Sequence, residues 1–240
     1  NSVDDTKSEN LFQIQEKEPS NNLLGVLQSK EEKAAKFRQD LRIMLYLVTL
    51  FIPTIFFWTI YEQQDSSWVL QGGNMYKKLW NYEIDPLQIQ TSNCALIILM
   101  VPITSMIKLS TLMSILLGLC LAACSFFTSA ILETVRTKTT HILWQIPQYI
   151  FITLGEVFLS MNGLEFASEL APEKFKCFVV AIWLMMVSFG SLIVAFISGL
   201  KIFESQVVEY IFYALTAIAA SILFIFIFKN FEKKRTSGKL

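Results

Sequence analysis

Charge is scarce here. Only 17% of the 240 residues are charged, and much of that charge sits at the two ends. A soluble domain spreads charge over its surface, whereas this sequence has long internal stretches with almost none, which excludes an ordinary soluble globular class. The formal net charge is zero, so no basic surface implies nucleic acid as a partner. A single histidine, His141, falls in a loop before the fourth apolar run, a poor position for proton coupling by imidazole. Of the four cysteines, Cys94, Cys120 and Cys124 lie in or beside apolar runs and Cys177 lies in a basic loop. None has a plausible disulfide partner, so all four read as free thiols. Cys120 and Cys124 share a helix face, a spacing that reads as packing and not as a metal site. The sequence has no glycine-rich phosphate loop, no metal-ligand spacing and no nucleophile triad. An enzyme, a metal site and an organic cofactor are therefore not expected. The polar opening, Asn1 to Asp40, does not read as a signal peptide.

What the sequence has is apolar length. Hydrophobic residues make up 53%, with 20 phenylalanines suited to lipid-facing surfaces. This composition predicts an all-α, multi-pass integral membrane protein. Residues 1–22 read as an unstructured polar tail. Residues 23–40 pair apolar positions with charges such as Glu32 and Lys36, spaced i,i+4, and read as a short helix, either lying on the membrane or solvated. The apolar runs predict spans at about 41–71, 92–107, 109–132, 145–168, 178–200 and 207–229, followed by a basic tail over 231–240. A polar loop is expected up to Thr91. The stretch 92–132 holds a single charge before Glu133, namely Lys108. If Lys108 marks a turn, the second span is short, reaching about 21 Å against a hydrocarbon core of roughly 30 Å. Basic residues flank the first span, fill the loop at Lys174 and Lys176 and end the chain, so the positive-inside rule places all three in the cytoplasm. An even number of crossings over 92–132 satisfies that rule, which gives six segments with a truncated second.

Two glutamates interrupt the fourth run, Glu156 and Glu165. A carboxylate in hydrocarbon costs about 2.5–3.5 kcal/mol on insertion scales, so it marks a substrate, ion or proton site unless it serves packing. At about 100° per residue these two lie on opposite faces of an unbroken helix. Asn162 and Ser168 give Glu165 a polar face, so Glu165 reads as the ligand or proton residue and Glu156 as a helix–helix hydrogen-bonding residue. In the first span, Trp58, Glu62 and Asp65 fall at i, i+4 and i+7, a stripe that could hold an ammonium by charge and cation–π attraction. The same spacing equally fits acids that have reached the headgroup region. Trp183 alone reads as a core or interface residue. Pro53, Pro102 and Pro147 fit kinked transport helices.

The segment Phe57-Trp58-Thr59-Ile60-Tyr61-Glu62-Gln63-Gln64-Asp65-Ser66-Ser67-Trp68-Val69-Leu70-Gln71 resembles the seventh-helix pattern FWxLxDQQGSRWTLQ of the proton-coupled oligopeptide transporters, a branch of the major facilitator superfamily. The run from Glu83 to Thr91 is similar to the family's next external loop. Gln145 to Pro172, with Gly155-Glu156 and Gly163-Leu164-Glu165-Phe166, resembles its tenth helix, and Ala181-Ile182-Trp183-Leu184 its eleventh. The likeness covers about residues 40–230 and is strongest to the animal di- and tripeptide transporters.

The resemblance implies the carboxy-terminal six-helix bundle of the major facilitator fold. It implies proton-coupled symport of di- and tripeptides, with protons as coupling ion and no cofactor. It implies that Glu165, Trp58, Gln64 and Trp183 line the peptide cavity, Glu165 taking the peptide's amino group, with Glu62, Asp65 and Asn162 as further lining. The implied partners are the lipid bilayer and an amino-terminal helical half, which in the family carries the ExxERF motif and the basic residues for the peptide carboxylate. The implied location is the plasma membrane, with both termini cytoplasmic. The sequence departs from the pattern in several places. Asp65-Ser66-Ser67 replaces Gly-Ser-Arg, Tyr46 stands where members carry an arginine, and Ser168 replaces a tyrosine. The large external domain of animal members shrinks to a few residues around Arg136 to Thr140. These departures leave room for another reading, a non-transporting membrane subunit that scaffolds or regulates an intact transporter.

Overall fold

The structure is a computed structural model that describes residues 27–200 and 202–237. The expected tail over 1–22 lies outside these residues. The chain divides into two compact units at Ile43 and Met44. In the first unit, residues 27–43 are helical and exposed along nearly their whole length, with Arg38 Nε donating to the Ala34 carbonyl at 3.3 Å.

The second unit is a helical bundle. Its elements are the end of α1 (Ser2–Tyr61), a 3-10 turn at Glu62–Asp65, α2 (Ser67–Gly73), a two-stranded hairpin of β1 (Lys78–Leu79) and β2 (Tyr82–Glu83), α3 (Pro86–Ser105), α4 (Thr111–Val135), α5 (Ile146–Leu170) after a 3-10 turn at Ile142–Gln145, α6 (Lys176–Leu200) and α7 (Gln206–Thr236). Among the described residues six helical stretches are long and apolar enough to cross a membrane.

Three expectations change. The second span begins earlier than Ser92, because Asp85 caps a helix there: its side chain accepts from Leu87 N at 2.8 Å, while Gln88 Oε1 accepts from Asp85 N at 3.0 Å. Pro86 at the first helical position favours the same start. The resulting 20-residue helix reaches about 30 Å, yet it remains the shortest of the six stretches. The first span does not run on as an α-helix through Glu62–Ser67. Ser66 Oγ and Ser67 Oγ both donate to Gln63 Oε1, each at 2.8 Å, and the Ser66 amide donates to the Gln63 carbonyl at 3.2 Å, tightening one turn to 3-10 geometry. The basic tail is helical as far as Thr236, with Lys233, Lys234 and Arg235 in the last turn of α7, where cations favour the helix dipole.

The core forms where α4 meets α5 and α7. Gly118 and Gly155 face each other so closely that a Cβ on either would lie 2.7 to 2.8 Å from the other's carbonyl oxygen. Such small-residue contacts let membrane helices pack without a hydrophobic driving force. Beside them Phe126 is fully buried, with ring centroids 5.3 Å from Trp68 and 5.5 Å from Tyr213.

Candidate functional site

Trp58 on α1 and Trp183 on α6 are both buried, and their rings meet edge-on at 6.3 Å and 89°. Phe51 also packs edge-on against Trp183, at 5.2 Å. Two glycines make this possible. A Cβ at Gly190 would lie 2.6 Å from Trp58 Cβ, and one at Gly163 would lie 3.2 Å from the Trp183 indole. Trp183 therefore sits between α1 and α5.

Tyr61 extends the aromatic group, 5.3 Å from Trp58. Its hydroxyl accepts from Asn93 Nδ2 of α3 at 2.7 Å. Asn93 Oδ1 in turn accepts from Thr153 Oγ1 of α5. Tyr61 and Asn93 both interact with the Glu156 carboxyl of α5, and Gln64 interacts with Tyr61. Three helices thus converge on one acid. Four polar atoms along this path are buried without a hydrogen-bond partner: Trp58 Nε1, Gln64 Oε1, Glu156 Oε2 and Ser160 Oγ. Each such atom costs about 1–3 kcal/mol while it stays unpaired.

The two glutamates face different surroundings. Glu156 and Gly163 are seven residues apart, about 20° on a helical wheel, and Gly163 touches Trp183. Glu165 lies about 200° from Gly163 and is exposed. The stripe of α5 that faces the tryptophan pair therefore carries Glu156, not Glu165. The sequence signal for this was the seven-residue spacing from Glu156 to Gly163.

The remaining expected residues scatter. Gln64 belongs to the cluster. The 3-10 turn breaks the phase of the Trp58, Glu62, Asp65 stripe. Glu62 turns to Ser191 on α6, and Asp65 is exposed and accepts from Gln90 Nε2 of α3. Asn162 is half-buried, with Nδ2 donating to the Phe158 carbonyl at 3.0 Å. The tryptophan pair, Gln64 and Glu156 come together, while Glu165, Asp65 and Asn162 do not join them.

A second polar group was not anticipated as a unit. Gln71 Oε1 on α2 accepts from Gln145 Nε2 at 3.1 Å and Gln148 Nε2 at 3.2 Å, while Gln71 Nε2 donates to Glu133 Oε2 at 3.0 Å. Glu133 is also paired with Arg136 at 2.6 Å. His141 is structural: Nδ1 accepts from Leu143 N at 3.2 Å, leaving Nε2 to donate to the Lys78 carbonyl at 3.0 Å. Among the described residues no three His, Cys, Asp or Glu side chains form a group that could hold a metal ion.

Comparison with known proteins bears on the family and the fold. The family model described as the POT family matches residues 2–206. Solute carrier family 15 member 2 of Danio rerio is 43% identical over 93 residues, which are 39% of this chain and 13% of that protein. Peptide transporter 3 of Caenorhabditis elegans is 43% identical over 91 residues, 38% of this chain and 13% of that one. Among solved structures, the POT family transporter PepTSo superposes with a TM-score of 0.70 at 26% identity, over 82% of this chain and 43% of that chain. A proton dependent oligopeptide (POT) family transporter gives 0.65 at 27% identity, over 78% of this chain and 43% of that one. The chain thus spans less than half the length of the solved transporters it matches.

Proposed function

Since this multi-pass membrane chain belongs to the POT family, we propose that it supplies the carboxy-terminal half of a cavity for proton-coupled symport of di- and tripeptides. The supporting observation is the convergence of Trp58, Trp183, Tyr61 and Asn93 near Glu156, with buried polar atoms left without partners. In this reading Glu156 takes the peptide's amino group, an ammonium that can lie against an indole face by cation–π attraction while pairing with the carboxylate. Trp58 and Trp183 form the apolar wall, and Gln64 offers its unpartnered carbonyl oxygen. Glu165, exposed on the opposite face, is the competing acid and is tested beside Glu156.

Alternating access needs two helical bundles moving about one site, so the partner is an amino-terminal six-helix half. The membrane is the plasma membrane, and both termini are cytoplasmic. The test is acid-driven uptake of a labelled dipeptide in oocytes that co-express this chain with the amino-terminal half of a POT family transporter. Uptake that requires both halves supports the reading. Its absence, with both halves present at the surface and associated, overturns it in favour of a non-transporting subunit.

A further inference from the structure

We propose that the cleft between α1 and α7 near the carboxy-terminal end of the bundle is a binding site for an anionic phospholipid, independent of the peptide cavity. The cleft holds about 230 Å³ and is lined by Tyr46, Thr49, Phe226, Ile227, Asn230, Phe231 and Lys234. Its polarity is graded along α7. Phe226 and Ile227 line one end, and Asn230 and then Lys234 line the other, over eight residues or about 12 Å. That gradient matches a lipid, whose acyl chain is apolar and whose phosphate end is charged.

The charged end is specified by geometry. The Lys234 ammonium lies 4.7 Å from the centre of the Tyr46 ring. A lysine held over an aromatic face keeps its charge at the mouth of the cleft while its remaining donors stay available. Lys233 and Arg235 flank it in the same last turn, and Lys229 lies one turn back. Glu232 is the one acid among them, so the end remains basic. The distribution of basic residues puts this end at the cytoplasmic leaflet, where anionic headgroups concentrate.

Another apolar cleft supplies the contrast. It is lined by Phe127, Ala130, Ile131, Thr134, Val135, Val207 and Ile211, with no charge at its mouth, and selects no headgroup. Charge together with an apolar groove singles out the site at Lys234.

The experiment uses the full chain reconstituted in vesicles of phosphatidylcholine and phosphatidylserine with identical acyl chains, extracted gently and weighed with its retained lipid by native mass spectrometry. Retention should favour phosphatidylserine, and Lys234→Gln should cut that preference about fivefold. Ile227→Trp, which fills the apolar end with all charges kept, should lower retention as well. Lys234 is exposed, so its variant decides alone if the tryptophan variant does not fold. Soluble glycerophosphoserine should not displace the lipid. Equal retention of both lipids, an equal loss from Lys229→Gln, or displacement by the free headgroup would each overturn the site.

Discussion

The Tyr61 hydroxyl lies between Asn93, from which it accepts a hydrogen bond at 2.7 Å, and the Glu156 carboxyl, with which it interacts. One oxygen thus couples α1, α3 and α5 at the acid proposed to meet the substrate. Its loss should be felt both in the fold and in binding.

Tyr61→Phe removes that oxygen and leaves the ring. Asn93 Nδ2 then loses its acceptor and Glu156 a polar neighbour. The expected loss is about 1–3 kcal/mol, the cost of leaving a buried polar group unpaired. Thermal unfolding in detergent reads it, and an unchanged melting temperature would contradict the cluster.

Gly190→Val places new carbons against Trp58, where even a Cβ would lie 2.6 Å from the tryptophan's own. Overpacking of this kind costs about 1–3 kcal/mol. The variant should melt lower and shift tryptophan emission as Trp58 moves away from Trp183. Gly73→Ala is the control. No atom lies within 4 Å of a Cβ there, so neither signal should change.

Gln71→Leu removes the acceptor shared by Gln145 and Gln148 and the donor to Glu133 and to the Ser129 carbonyl. Interhelical hydrogen bonds in membranes average about 0.6 kcal/mol, so losing four should cost on the order of 2 kcal/mol. Leu70→Ala, on an exposed position of the same helix, should cost less. If both variants melt alike, the glutamine group does not hold α2 against α4 and α5.

Much of the fold was legible from the sequence, because apolar length and the distribution of basic residues are one-dimensional signals. The start of α3 was missed because Asp85 and Gln88 act through a cap, a local bond outweighing the polarity of Gln88 and Gln90. The tryptophans at 58 and 183 and Gln64 were reached through family resemblance, and the structure brings them together. Polar neighbours and the family resemblance both point to Glu165, but polar neighbours on one helix do not say which face meets another helix. Gly163 does, because a Cβ there would meet the Trp183 ring. The stripe through Asp65 meets a related effect: a 3-10 turn, set by serine bonds to Gln63, resets the helical phase.

The most direct measurement compares two neutralised acids in one assay. Glu156→Gln and Glu165→Gln are each introduced into this chain, co-expressed with an amino-terminal half, and scored for acid-driven dipeptide uptake at equal surface amounts. Glu156→Gln should lose at least tenfold in uptake, and Glu165→Gln should stay near normal. Normal uptake by Glu156→Gln with a loss confined to Glu165→Gln would contradict this.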